Sequence, residues 1–312
     1  MADEAQTIRR NESVRALCGG SVVDKFIRPT LAEFLGTAFL VFLLCSCGPI
    51  YLFHGEIYDR SITLNDNLFS ALVYGFGYVF LIYAFGDISG GYFNPVITFA
   101  LTLNGALPVL VAVCFFIAQI GGGLLGAALA LAAVPTNKYT QFIGGATMLI
   151  NETEPGWAVL IEGILTFIVT LTVCITALDK TKKKMSPLAV GFSVIACAMS
   201  GAQYTGGSMN PARSLGPAAS YSKYLEFNVW EHHYVYWAGP TAGALVAAII
   251  YRLEIICIAN TCTHFCLQRE GHQIIRPLRI SRDTRHTAMT FPYNEVKIQR
   301  INPDFRKSNK NI

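Results

Sequence analysis

Charge is scarce in this sequence. Asp, Glu, Lys and Arg make up 14% of its 312 residues, whereas a soluble domain carries about 25%. That shortage argues against an ordinary soluble fold. Hydrophobic residues reach 53%, which excludes disorder for the bulk of the chain. The first 30 residues lack an apolar core and hold many charges, so no cleavable signal peptide is expected. The six His fall at the edges of the apolar runs or beyond them. Those runs hold no metal-ligand cluster and no nucleophile–base pair, so the sequence predicts no metal, no cofactor and no enzyme. A disulfide framework is missing as well, although there are nine Cys. Cys45, Cys47, Cys114, Cys174 and Cys197 lie in apolar runs and read as buried apolar thiols. Cys257, Cys262 and Cys266 cluster at the end of the last run, where palmitoylation is an alternative.

What the chain has is long apolar runs, at about 31–53, 68–86, 107–134, 157–178, 187–203 and 233–258. Each is long enough to span a bilayer as a helix. An even number of spans puts both termini on one side. Residues 268–312 hold ten Lys/Arg against four Asp/Glu, a local +6 in a chain of net charge +4. This tail and Lys180, Lys182, Lys183 and Lys184 then share a side, which the positive-inside rule makes cytoplasmic. Glu56, Asp59, Asp66, Glu152, Glu154, Glu226 and Glu231 fall on the outer side, as does the N-glycosylation sequon at Asn151. A second sequon, at Asn11, is cytoplasmic and stays bare. The tail suits a membrane-surface or kinase-regulated segment, or a solvated one. Nucleic acid is a poor partner for a chain buried in lipid. The expected organisation is a cytoplasmic segment 1–28, a membrane domain 29–258 with halves 29–134 and 155–258, and a basic cytoplasmic tail 259–312.

Three features recur in one order. Glu33 is followed four residues later by Thr37, and Glu162 by Thr166. Ser89-Gly90-Gly91-Tyr92-Phe93-Asn94-Pro95-Val96 matches Thr205-Gly206-Gly207-Ser208-Met209-Asn210-Pro211-Ala212. Gly122 and Gly126 answer Gly239 and Gly243. The chain is therefore a duplication, and with three spans in each half the second copy is inverted.

Asn favours the N-cap and Pro the first helical position, so Asn94-Pro95 and Asn210-Pro211 read as helix starts. The apolar stretches that follow, 96–103 and 212–219, are too short to span and read as half-helices dipping in from opposite sides. Their N-termini should meet near the midplane, each with roughly half a positive charge. Together with the Asn amides they favour a small neutral molecule with oxygen lone pairs and oppose a cation, hydronium included. Glu33 and Glu162 sit in apolar helices and need partners. The expected partners are the loops before the half-helices; a proton relay is the alternative. Gln119 reads as a structural partner of the same kind. Arg213, about one turn after Asn210, either lines water or makes a structural salt bridge.

These residues resemble the major intrinsic protein family, the aquaporins and glycerol facilitators, over about residues 28–258. The paired boxes carry the resemblance: Asn94, Pro95 and Val96 in the first, Asn210, Pro211 and Ala212 in the second, continuing into Arg213. Val96 departs from the family's Ala and is expected to perturb packing where the half-helices abut. The resemblance implies an all-α fold with six transmembrane helices and two re-entrant half-helices, one pore per subunit and a homotetramer in the plasma membrane. The family's outer constriction falls here on Tyr74, Ala198, Gly207 and Arg213. Water-selective members usually carry His where this chain has Ala198, so the constriction is expected to be wider and more apolar on one wall. That pattern resembles the entomoglyceroporin branch and implies passage of water and glycerol, with urea plausible. Ser214, Ala218 and Tyr236-Trp237 look instead like water-channel positions. The competing functions are a strictly water-selective channel, an adhesion, signalling or ion-conducting relative of low permeability, and a coupled transporter.

Overall fold

The computed structural model describes residues 22–47, 64–150, 153–179, 181–224 and 228–269. Proline sets most helix starts, as expected from its fixed φ and missing N–H. After a π-turn at Val23–Ile27, α1 (Arg28–Ser46) has Pro29 in its first turn. Helix α2 spans Leu64–Phe85, and the half-helix α3 spans Pro95–Leu103. Pro108 caps α4 (Val109–Ala133). A short α5 (Thr136–Gln141) and a 3-10 turn (Ile143–Gly145) lie between the third and fourth apolar runs. Pro155 opens α6 (Pro155–Ala177), and Pro187 lies in the first turn of α7 (Ser186–Gly201). The second half-helix, α8, spans Pro211–Tyr221, and α9 spans Val235–Arg269.

The chain forms two compact units, Met1–Thr261 and Cys262–Ile312. Of the second, only 262–269 is described, and it is helical. Among the described residues, five helical stretches are long and apolar enough to cross a membrane: Val23–Ser46, Asn67–Phe85, Val109–Ala133, Pro155–Ala177 and Lys183–Gly201. Helix α9 occupies the sixth predicted run. The protein is thus an integral, multi-pass, all-α membrane protein. Its outward face is greasy: Leu110, Ile117, Trp157, Ile164 and Phe192 are all more than half exposed. In water that surface would be a liability; against lipid it is the expected boundary.

Glycine fixes how closely the helices approach. A Cβ on Gly122 or Gly126 would collide with the carbonyls of Phe34 or Ala38, which locks α4 against α1. In the second half, a Cβ on Gly239 or Gly243 would collide with the carbonyls of Val159 or Gly163, which does the same for α9 against α6. Gly75 on α2 and Gly191 on α7 face each other reciprocally, each within collision distance of the other's carbonyl. This is how an inverted repeat looks at its own axis: each half closes a first-to-third helix pair, and the second helix of each half pairs across the middle. Small residues at such contacts let backbones meet closely enough for van der Waals packing to hold helices together in lipid.

Candidate functional site

The site is assembled around the two carboxylates. Glu33 is buried in α1 and reaches the loop before α3. Its Oε1 accepts from Ser89 Oγ at 2.6 Å and Tyr92 N at 3.0 Å, and its Oε2 from Phe93 N at 2.7 Å. Glu162, buried in α6, makes the matching set in the loop before α8. Its Oε1 accepts from Thr205 Oγ1 at 2.7 Å and Ser208 N at 2.8 Å, and its Oε2 from Met209 N at 2.6 Å. The repeat therefore extends to single hydrogen bonds. Thr37 and Thr166 donate back to the carbonyls of Glu33 and Glu162, both at 2.7 Å. Gln119 Nε2 donates to Glu33 Oε2 at 2.8 Å and to Thr98 Oγ1 at 2.8 Å. In the second half a different device serves this place: Tyr236 Oη donates to the Thr205 carbonyl at 2.8 Å.

The loops need unusual backbone. Gly90, Gly91, Gly206 and Gly207 have positive φ, and so do the non-glycine residues Phe93 (φ 50) and Met209 (φ 57). Left-handed φ is costly for bulky residues. Here the Glu carboxylates hold both N–H groups, and both side chains are buried. Sequence reasoning missed these two positions, whose only signal is that each precedes a box Asn.

Both Asn residues cap their half-helices. Asn94 Oδ1 accepts from Val96 N at 3.1 Å, and Asn210 Oδ1 from Ala212 N at 3.0 Å. Their amide nitrogens cross over: Asn94 Nδ2 donates to the Met209 carbonyl and Asn210 Nδ2 to the Phe93 carbonyl, each at 2.9 Å. The half-helix N-termini consequently meet end to end, as expected. Val96 belongs to a buried cluster with Ala100 and with Ala244 and Ala248 of α9.

The residues Tyr74, Ala198, Gly207 and Arg213 lie around one cavity of about 40 Å³, with Leu44 and Ser70 also on its wall. At about 10–15 Å³ per water, that space suits a few small polar molecules. Tyr74 Oη donates to the Ser208 carbonyl at 2.7 Å, which fixes its ring. The Arg213 guanidinium lies 5.9 Å from the centroid of that ring, and its Nη1 donates to the Gly145 carbonyl at 2.8 Å. Among the described residues, the buried Arg213 Nε and Ser70 Oγ have no hydrogen-bond partner. Carbonyl contact, rather than a salt bridge, is what the structure gives Arg213 among the described residues. A fixed cation beside two positive helix ends makes this a poor place for a cation and a good one for a neutral hydrogen-bonding molecule.

Further residues support the site in ways the sequence did not show. Ser214, four residues after Asn210, shares a hydrogen bond with Thr147 at 2.7 Å and another with Ser208. Thr98 holds the equivalent place after Asn94, and that shared spacing was a readable signal. His233, buried in the loop before α9, meets Trp230 edge-on at 4.9 Å and Tyr236 likewise at 5.8 Å between ring centroids. The expected glycosylation residue Asn151 lies outside the described residues, as do Asn11 and the tail beyond Arg269.

The profile of the family described as major intrinsic protein matches residues 21–251. Aquaporin-8 of Mus musculus is 32% identical over 251 residues, covering 80% of this chain and 90% of that protein. Aquaporin-5 of Sus scrofa is 36% identical over 230 residues, covering 72% and 80%. Among solved structures, the aquaglyceroporin from Plasmodium falciparum superposes with a TM-score of 0.62 at 23% identity, covering 75% of this chain and 99% of that one. At that identity the match speaks for the fold.

Proposed function

Because the chain belongs to the major intrinsic protein family, and so forms a passive membrane channel rather than an enzyme, we propose that its conduit carries glycerol as well as water. The observation that carries this reading is the composition of the cavity wall. Ala198 and Gly207 present a methyl group and no side chain, while Arg213 and Ser70 are polar residues on the wall of the same cavity. A polyol needs that division: hydroxyl partners on one side and space beside an apolar surface for its carbons on the other. Urea fits the same description. Protons and ions are opposed by Arg213 and the two helix ends.

The same reading assigns Asn94, Pro95, Val96, Asn210, Pro211 and Ala212 to the conduit's centre, and Tyr74, Ala198, Gly207 and Arg213 to its outer constriction. It makes Glu33, Glu162 and Gln119 the scaffold. It puts both termini in the cytoplasm, on the strength of Lys180, Lys182, Lys183, Lys184 and the basic tail, and the family resemblance implies a homotetramer in the plasma membrane. Residues 1–28 and 259–312 flank the channel domain 29–258. The decisive experiment is stopped-flow light scattering on proteoliposomes with water and glycerol gradients, comparing the wild type with Ala198→His. Glycerol uptake that collapses in the variant while water flow persists supports the proposal. Fast water flow with wild-type glycerol uptake at the empty-vesicle baseline overturns it in favour of a water-selective channel.

A further inference from the structure

The amide of Asn210 has two N–H donors, and both are engaged. One goes to the Phe93 carbonyl at 2.9 Å, the other to the Tyr78 hydroxyl at 3.4 Å. Asn94 gives one donor to the Met209 carbonyl. An oxygen arriving at the half-helix ends thus finds a phenol already seated on Asn210.

Tyr78 follows Tyr74 by four residues on α2, so the two share a helix face. Their ring centroids are 5.6 Å apart, and the Tyr78 ring lies 6.3 Å from that of Phe93. Both rings are buried, but Tyr74 is on the wall of the cavity and Tyr78 is not. Its phenol therefore stands behind the four outer residues, between them and the Asn pair. At 3.4 Å the bond from Asn210 is long for N–H···O, so the hydroxyl is weakly held and can be displaced.

We infer that Tyr78 is a second specificity-determining residue, set deeper than Tyr74, Ala198, Gly207 and Arg213, whose hydroxyl occupies the place of a permeant oxygen at Asn210. This rests on the channel reading above. Water replaces that hydroxyl with a small displacement of the ring. A three-carbon polyol needs the ring to swing aside. The opening left by Ala198 and Gly207 then admits solutes that Tyr78 sorts again, and the inner step limits glycerol more than water.

The test uses the full chain in proteoliposomes, with wild type, Tyr78→Val and Tyr78→Phe under water and glycerol gradients. Removing the ring in Tyr78→Val is expected to raise the glycerol-to-water permeability ratio about tenfold, the scale on which a pocket discriminates by steric fit. Tyr78→Phe keeps the ring and its packing on Phe93 but frees the Asn210 donor. It should raise water permeability without raising the ratio. Conducting wild type with an unchanged ratio in Tyr78→Val overturns the inference and leaves the channel reading intact. If Tyr78→Val does not fold, unchanged water flow in Tyr78→Phe overturns it instead. Conduction only in Tyr78→Val would make the ring a plug and overturns the inference that water displaces its hydroxyl. Folded protein that stays at the vesicle baseline in every form sinks the channel reading and this inference with it.

Discussion

At the scale of single residues, the site depends on acceptors meeting donors that have no alternative. The N–H groups of Ser208 and Met209 both end on Glu162. Glu162→Gln turns one acceptor oxygen into a donor facing them. The variant should lose about 2–4 kcal/mol, the cost of a broken charge-assisted bond plus an unsatisfied buried donor. A lower melting temperature in detergent, measured by intrinsic fluorescence, checks this. Glu162→Gln that melts with the wild type would mean that the loop holds its shape without the carboxylate. Val96 gives the opposite expectation. Because it packs on Ala244 and Ala248, Val96→Ala should cost about 1 kcal/mol, the usual scale for deleting buried methyl groups. Water permeability should stay close to wild type. A large change in permeability would place Val96 on the conduit instead.

At the scale of elements, much was legible in the sequence, for identifiable reasons. Asn-Pro encodes a helix start locally, so α3 and α8 were predictable to within a residue or two at their N-termini. The Glu–Thr and Gly–Gly repeats were equally local, and the partners predicted for Glu33 and Glu162 are the loops they hold. Phe93, Met209 and Tyr78 were not legible. Their roles come from backbone φ or from a neighbour more than a hundred residues away, and neither leaves a trace in a window of sequence. Two expectations belong at this scale. Gly126 has the Ala38 carbonyl where a Cβ would go, so Gly126→Val should prevent α4 from closing on α1. Little monodisperse protein should then be recovered on size exclusion. The loop before α9 should respond to acid. Burial lowers the pKa of His233 from its ordinary 6.5, and neither ring nitrogen has a hydrogen-bond partner among the described residues. Below about pH 6.5 the unfolded chain binds a proton that the folded loop resists, so stability present in full above that value falls as the pH drops toward the folded pKa. His233→Phe should flatten the dependence of melting temperature on pH between about 7.5 and 5.

At the scale of the whole molecule, the inverted repeat explains why the residue-level pairs come in twos, and also where they fail to. Glu33 has the help of Gln119, whereas the second half uses Tyr236 against the loop carbonyl. The two loops are therefore held alike but not identically. The side that also carries Arg213 and the cavity is the one anchored through His233 and Tyr236. The proposed homotetramer has its test here: native mass spectrometry in detergent should give four chains per particle, and a single chain would rule it out.

The crossed amides carry a consequence for how the protein is made. Asn94 finds its acceptor on Met209 and Asn210 finds its acceptor on Phe93. A chain that has emerged from the ribosome only as far as α4 cannot finish its first box, because the missing part has not been synthesised. The first re-entrant segment must wait, incomplete, for more than a hundred residues of translation. Both boxes then close in one late event, so a truncated or stalled product should be recognisably immature and leak nothing.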